Sequence, residues 1–191
     1  MSDTTPKERE IAELEEKLIE DSKRLAEMKR SLPPVQIEDF SLKRTDDNVS
    51  LTDLFAGMCD LVVIHNMGRN CRYCTMWADG LNGLRHHLQS RAGLVLVSPD
   101  APDVLEEFAA GRGWEFPIAS AHGTGFNAAV GMEKQGGALP GVPTFHRGPE
   151  GEILKVATEH FGPFDLYCGV WHIFARLQNG VDRWEPQYSY E

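Results

Sequence analysis

Apolar residues follow two different patterns along the chain, and the two patterns alternate. Continuous apolar runs at residues 61–67 and 93–98 predict two buried β-strands. Apolar residues at helical spacing follow each run and predict helices over residues 72–90 and 101–111. Because buried strands that alternate with helices form parallel sheets, this order predicts an α/β fold with a parallel core.

The flanking regions predict further elements and an antiparallel edge. Residues 144–146 and 152–156 read as two strands joined by a Gly-Pro-Glu-Gly turn, which predicts a hairpin. A last helix is predicted over residues 164–178. The remaining short elements are strands at residues 35–37 and 116–119, a helix at 51–55 and a helical turn at 126–130.

Residues 7–32 show the pattern of an amphipathic helix that ends at Pro33-Pro34. Asp21 occupies one position of its apolar seam, and the other positions are apolar. The apolar seam residues are Ile11, Leu14, Leu18, Leu25, Met28 and Leu32. Two interpretations stay open: a helix that packs on its own domain or a neighbour, and a coiled coil that forms a homodimer.

These boundaries divide the chain of 191 residues into three parts. Residues 1–34 form the N-terminal helix, residues 35–180 the α/β domain, and residues 181–191 a C-terminal tail. The length suits one domain of ordinary size with an appendage.

Composition and charge narrow the partners and the compartment. The formal net charge is −10, which argues against nucleic acid or an anionic membrane as the main partner. No apolar run approaches the ~20 residues of a membrane-spanning helix, and the charged N-terminal sequence lacks an apolar leader core. We therefore expect a cytoplasmic protein, in which the four cysteines are thiols, redox-active or metal-bound ones among them, rather than structural disulfides.

Cys71-Arg72-Tyr73-Cys74 carries the clearest chemistry. It lies where the first buried strand passes through a short loop into a helix, the local geometry of a dithiol redox centre. The N–H groups and the positive dipole end of the helix favour the thiolate of Cys71, and Arg72 adds a positive charge nearby.

A second motif, Pro140-Gly141-Val142-Pro143-Thr144-Phe145, follows later in the chain. With the dithiol, it resembles the thioredoxin-like superfamily, whose members carry Cys-x-x-Cys at the start of a long helix and a cis-proline before a later strand. Pro143 matches that proline. The resemblance covers residues 35–180 and implies a three-layer α/β/α sandwich whose mixed sheet has a parallel core and an antiparallel edge hairpin.

Within that superfamily the chain is similar to a bacterial group of thioredoxin-like proteins of unknown function. The group is related to the alkyl hydroperoxide reductase/thiol-specific antioxidant branch. The similarity rests on Trp77-Ala78-Asp79-Gly80 after the second cysteine, on a strand that ends in His65, and on the helix that precedes the domain.

The resemblance implies a thiol–disulfide oxidoreductase that needs no cofactor and acts on a protein or small-molecule disulfide or thiol. Cys71 is then the attacking thiol and Cys74 the resolving thiol. Val142 and Pro143 form the substrate-facing edge, joined by Arg72 and Tyr73 between the cysteines.

His65 occupies the position at which thioredoxins carry a buried aspartate that relays protons to the resolving thiol. An imidazole titrates near neutrality and could take the proton of Cys74. The alternative is a buried histidine whose ring finds a backbone partner.

Several residues depart from the superfamily pattern. Thioredoxins have Trp before the first cysteine and Gly-Pro between the two, whereas this chain has Asn70 and Arg72-Tyr73. The intervening pair influences the reduction potential, so the direction of electron transfer is not predicted. Gly68 and Ile64 stand where a peroxiredoxin needs a hydroxyl residue and a proline, which argues against peroxidase chemistry by that mechanism.

Two other functions stay open. Cys71 and Cys74 with a histidine, for which His146 is a candidate, could bind copper or zinc. The domain could also be an interaction module in which the dithiol is incidental. Cys59 and Cys168 are expected to be small buried core residues.

Overall fold

The computed structural model describes residues 5–190. The chain divides into two compact units, with the boundary between Pro34 and Val35. The first unit holds one helix, α1 (Pro6–Arg30). A capping box fixes its start: the Thr5 side chain accepts from the Glu8 N–H at 3.3 Å, and the Glu8 carboxylate accepts from the Thr5 N–H at 2.6 Å.

The second unit contains short helices and strands that alternate. Its helices are α2 (Leu51–Leu54), α3 (Arg72–Gly83), α4 (Arg85–Gln89), α5 (Pro102–Arg112), α6 (Phe126–Ala129) and α7 (Gly169–Phe174). Its strands are β1 (Val35–Ile37), β2 (Ser41–Lys43), β3 (Asn48–Ser50), β4 (Asp60–His65), β5 (Gly93–Ser98), β6 (Ile118–Ser120), β7 (Glu133–Lys134), β8 (Gly137–Ala138), β9 (Gly141–Arg147) and β10 (Ile153–His160). Within residues 5–190, no helix has the length and apolar character needed to cross a membrane.

One mixed sheet has the strand order β1-β10-β9-β4-β5-β6-β2-β3. Strands β4, β5 and β6 are parallel, and the other neighbours in this sheet are antiparallel. Leu61 pairs with Gly93 and His65 with Val97, so β4 and β5 end at the same edge of the sheet. The loop after β4 leads from this edge to Cys71, the kind of location at which α/β proteins bind ligands.

Alternation along β4 directs apolar side chains into two clusters on opposite faces of the sheet. Leu61 and Val63 enter the cluster to which α2 and α6 contribute. Ile64 enters the other cluster, which holds Trp77 of α3 and residues of α5 and α7. Helices therefore cover both faces of a mixed sheet, which confirms the predicted α/β/α sandwich with a parallel core and an antiparallel hairpin.

Two predicted helices differ from the structure. The helix expected over residues 72–90 is interrupted at Leu84 and forms α3 and α4. The helix expected over residues 164–178 is limited to α7. Phe164 has a left-handed backbone (φ 67°), and the Asp165 carboxylate accepts from the N–H groups of Tyr167 and Cys168, at 2.7 and 3.1 Å. These turn contacts satisfy the backbone locally and delay the start of the helix.

Candidate functional site

Cys71 caps the start of α3 with its own side chain. Its backbone is extended (φ −97°, ψ 95°), and its Sγ accepts a hydrogen bond from the N–H of Cys74 at 3.1 Å. The first turn of a helix has unpaired N–H groups and carries a partial positive charge. The sulfur of Cys71 therefore lies where a negative charge is stabilised.

The two thiols have opposite electrostatic environments. Cys71 is half-buried, and its pKa is lowered to about 7, above all by the hydrogen bond from the Cys74 thiol and also by the N–H groups of Cys74 and Tyr73. Cys74 is only 3% exposed. Its pKa is raised because its thiol donates to Cys71 and because burial disfavours a second thiolate. The pair thus combines a nucleophile with a protonated partner.

The loop between β4 and Cys71 is held by two polar side chains. Asn66 Oδ1 accepts from the N–H of Gly68 at 2.6 Å, and the Asp100 carboxylate accepts from the N–H of Arg69 at 2.7 Å. Gly68 has φ 105°, and a Cβ on it would approach Asp100 Oδ1 to 3.0 Å. Both facts explain why glycine stands where a peroxiredoxin carries a hydroxyl residue.

His65 ends β4 and is 1% exposed. Its Nδ1 donates to the carbonyl oxygen of Leu139 at 2.6 Å, and its Nε2 lies 2.9 Å from the Asn127 side chain. Burial is the main cause that lowers the pKa of His65. Both ring nitrogens therefore have partners other than the thiols, which is the arrangement expected of a buried histidine with a backbone partner.

Val142 and Pro143 lie inside β9, which begins at Gly141. No peptide bond in residues 5–190 is cis, so the cis bond expected before Pro143 is not found. Strand β9 is extended and lies between β10 and β4. Pro143 pairs with Thr158 of β10. The ladder to β4 is interrupted at Pro143, because proline has no N–H to donate. Val142 is buried in the same apolar cluster as Trp77 of α3.

Arg72 and Tyr73 connect the dithiol to the C-terminal part of the chain. Arg72 Nη2 donates to Glu185 Oε2 at 2.5 Å. The ring of Tyr73 stacks on that of Trp171, with 6.1 Å between the ring centres. The sequence pattern predicted only a tail after residue 180 and missed this contact, although Trp184, Tyr188 and Tyr190 give the tail an aromatic content typical of a packed segment.

Asp79, in the Trp77–Gly80 motif, joins α3 to α5. Its carboxylate accepts from Nε of Arg112 at 3.3 Å, from Nη2 of Arg112, and from Nε1 of Trp114 at 2.8 Å. Arg112 Nη1 also donates to the carbonyl oxygen of Tyr188. The motif therefore has a structural role, because Asp79 connects the helix that carries the dithiol to α5 and, through Arg112, to the C-terminal residues.

The other cysteines and the candidate metal ligand lie elsewhere. His146 Nδ1 is 2.7 Å from Asp60 Oδ1, at the opposite end of β4 from the dithiol. No group of three or more His, Cys, Asp or Glu side chains within residues 5–190 is arranged to hold a metal ion. Cys168 is buried as predicted, whereas the prediction for Cys59 is wrong, because that residue is exposed in the turn before β4.

Residues 5–190 match the family described as bacterial protein of unknown function (DUF899). The chain belongs to the DUF899 family. The DUF899 match includes both α1 and the C-terminal residues that contact Arg72. A search among curated proteins finds no significant match.

Solved structures similar to this DUF899 protein include several peroxiredoxins. Reduced Prx3 from Vibrio vulnificus is 16% identical, with a TM-score of 0.57 over 70% of this chain and 90% of that chain. Peroxidoxin BcpB from Mycobacterium tuberculosis is 20% identical, with a TM-score of 0.54 over 66% and 84%. A peroxiredoxin-like protein from Aquifex aeolicus is 14% identical, with a TM-score of 0.52 over 66% and 74%. These similarities, all at 20% identity or less, confirm a thioredoxin-like fold.

Proposed function

We propose that this DUF899 protein is a thiol–disulfide oxidoreductase in which Cys71 attacks and Cys74 resolves. The observation that carries the proposal is the asymmetry of the pair: Cys71 is accessible with a pKa of about 7, and Cys74 is buried and protonated. An attacking thiol with a pKa near ambient pH combines a large thiolate fraction with good nucleophilicity.

The reaction needs only the two sulfurs and a substrate disulfide. The Cys71 thiolate attacks one substrate sulfur, forms a mixed disulfide and breaks the substrate S–S bond, and the leaving thiolate takes up a proton. Cys74 then loses its proton and attacks Cys71 Sγ, which forms the internal disulfide and releases the second substrate thiol. Two electrons pass from the protein dithiol to the substrate, and the same steps in reverse oxidise a substrate dithiol.

Residues around the dithiol supply the substrate surface. Arg72 is exposed and Tyr73 is half-buried, and both lie between the two cysteines in the chain, so we assign them contacts with a bound substrate. We keep Val142 and Pro143, which are buried in β9, as the substrate-facing edge that the resemblance implies. His65 remains the candidate for accepting the Cys74 proton, a role that a change of this residue can test.

Thiol titration tests the proposal directly. In a Cys59→Ser background, which removes the exposed extra thiol, the protein treated with a small disulfide should lose two thiols and regain them with dithiothreitol. Cys74→Ser should instead accumulate a mixed disulfide with the substrate, and Cys71→Ser should do neither. A protein that keeps all its thiols in every redox buffer would contradict the proposal.

A further inference from the structure

Residues 184–190 form what we call the C-terminal segment, and its first contacts are on α7. The ring of Trp184 meets those of Trp171 and Phe174 nearly at right angles, with centres 5.5 and 4.8 Å apart. Pro186 is buried. Aromatic packing of this kind fixes the path of a segment that has no secondary structure of its own.

The next contact falls on the dithiol motif itself. Glu185 pairs with Arg72, the residue that directly follows Cys71 and begins α3. The two side chains are 53% and 45% exposed. Solvent-exposed ion pairs contribute little to stability, so this contact can open without disturbing the core.

The segment then reaches α5. The ring of Tyr188 lies edge-on to Phe108 with centres 6.3 Å apart, and its carbonyl oxygen accepts from Arg112, which Asp79 holds. Burial raises the pKa of the Tyr188 phenol, and the negative charge of Cys71 raises it further. The segment thus runs from Arg72 at the start of α3 to Arg112 at the end of α5.

A cavity lies between α5 and this segment. Its volume is about 360 Å³, within the range of small-molecule sites. Arg69, two residues before Cys71, lines the cavity together with Phe108, Arg112 and Tyr188. Glu107 also lines the cavity, so a molecule held there would have cationic, anionic and aromatic groups around it. It would lie next to the loop that presents Cys71.

We infer that the C-terminal segment makes the site selective for low-molecular-weight disulfides. While Cys71 attacks one sulfur of such a disulfide, the rest of that molecule occupies this cavity. The inference rests on the proposed function. With Glu185 paired to Arg72, the segment leaves Cys71 accessible to a small disulfide but covers the surface on which a folded protein would have to dock. Opening the Glu185–Arg72 contact then admits larger substrates.

Alkylation of Cys71 by two reagents of the same chemistry tests the inference. In the Cys59→Ser background, N-ethylmaleimide reports the reactivity of the thiolate, and a maleimide with a long polyethylene glycol chain reports access. Removal of the Glu185 charge alters the reactivity toward both reagents, so the ratio of the large-reagent rate to the small-reagent rate is the quantity to measure. We expect Glu185→Gln to raise this ratio by up to about fivefold, because that factor corresponds to the free energy of one exposed ion pair.

Tyr188→Ala, which removes the contact with Phe108, should raise the ratio as well. Glu150→Gln is the matched control, since it removes an equal charge in an exposed turn of the β9–β10 hairpin, and it should leave the ratio unchanged. An equal ratio in wild type, Glu185→Gln and Tyr188→Ala would overturn the inference. Alkylation does not require an internal disulfide, so this outcome would leave the proposed function standing. Thiol titration of the same proteins tests the proposed function separately.

Substrate competition provides the second measurement. The wild type should be oxidised faster by hydroxyethyl disulfide than by insulin, a folded protein with disulfides. In Glu185→Gln, the difference between these two oxidation rates should be smaller. Faster oxidation of the wild type by insulin would overturn the inference even if the dithiol is redox-active.

Discussion

The backbone N–H of Cys74 donates to Cys71 Sγ over 3.1 Å, and the Cys74 thiol donates to the same sulfur. One residue thus supplies two donors that stabilise the Cys71 thiolate. The same contact keeps Cys74 protonated, because a second thiolate so close to the first is disfavoured. In the proposed reaction, Cys74 would therefore stay protonated until Cys71 has entered a mixed disulfide and lost its charge.

The reactivity of Cys71 should follow this contact as the pH changes. In the Cys59→Ser background, the rate of alkylation by iodoacetamide should rise with pH and reach half its maximum near pH 7, because the pKa of Cys71 is about 7. Cys74→Ala removes the thiol donor and should move the midpoint to higher pH. Cys74→Ser keeps a hydroxyl donor, so its midpoint should lie between those of the wild type and Cys74→Ala. A midpoint that is the same in all three proteins would show that the Cys74 side chain does not set the pKa.

The carboxylate of Asp79 should contribute measurably to stability. Asp79→Ala leaves Arg112 and the Trp114 N–H without their shared acceptor, and a loss of about 1–3 kcal/mol in the free energy of unfolding is expected. Urea denaturation followed by tryptophan fluorescence would measure it. Asp46→Ala, at an exposed loop position, serves as the control and should change stability much less. Equal effects of the two substitutions would contradict the role of Asp79 as a tie between α3 and α5.

His65 should make the stability of the fold depend on pH. Burial lowers its pKa in the folded state, so the folded protein binds fewer protons than the unfolded chain below the ordinary histidine pKa of about 6.5. The free energy of unfolding should therefore fall as the pH is lowered from 7 to 5. His65→Asn should reduce this slope, whereas His87→Asn, at an exposed position on α4, should leave it unchanged.

The same variant tests the proton-shuttle role. If His65 accepts the proton of Cys74, His65→Asn should slow the release of the substrate thiol from the mixed disulfide while the alkylation rate of Cys71 stays the same. An unchanged release rate would assign His65 to the buried contacts with Leu139 and Asn127 alone.

The immediate surroundings of the dithiol could be predicted because their signals are local. The apolar run that forms β4 and the helical spacing after Cys71 both appear within a few residues of the motif. Strands β2, β3, β7 and β8 were not predicted, since each is two or three residues long and holds at most one apolar residue. The Arg72–Glu185 pair joins positions 113 residues apart, and only the folded chain brings them together.

Helix α1 provides the last prediction, because its apolar seam could pair with a second copy of the chain. If the seam forms a homodimer, Leu18→Glu places a charge in the middle of it and should reduce the mass measured by light scattering to that of one chain. Ile19→Glu is the matched control, since Ile19 lies on the same helix but outside the seam, and it should leave the mass unchanged. Wild-type protein with the mass of a single chain would reject the dimer and leave α1 as a helix that packs on its own domain or a different partner.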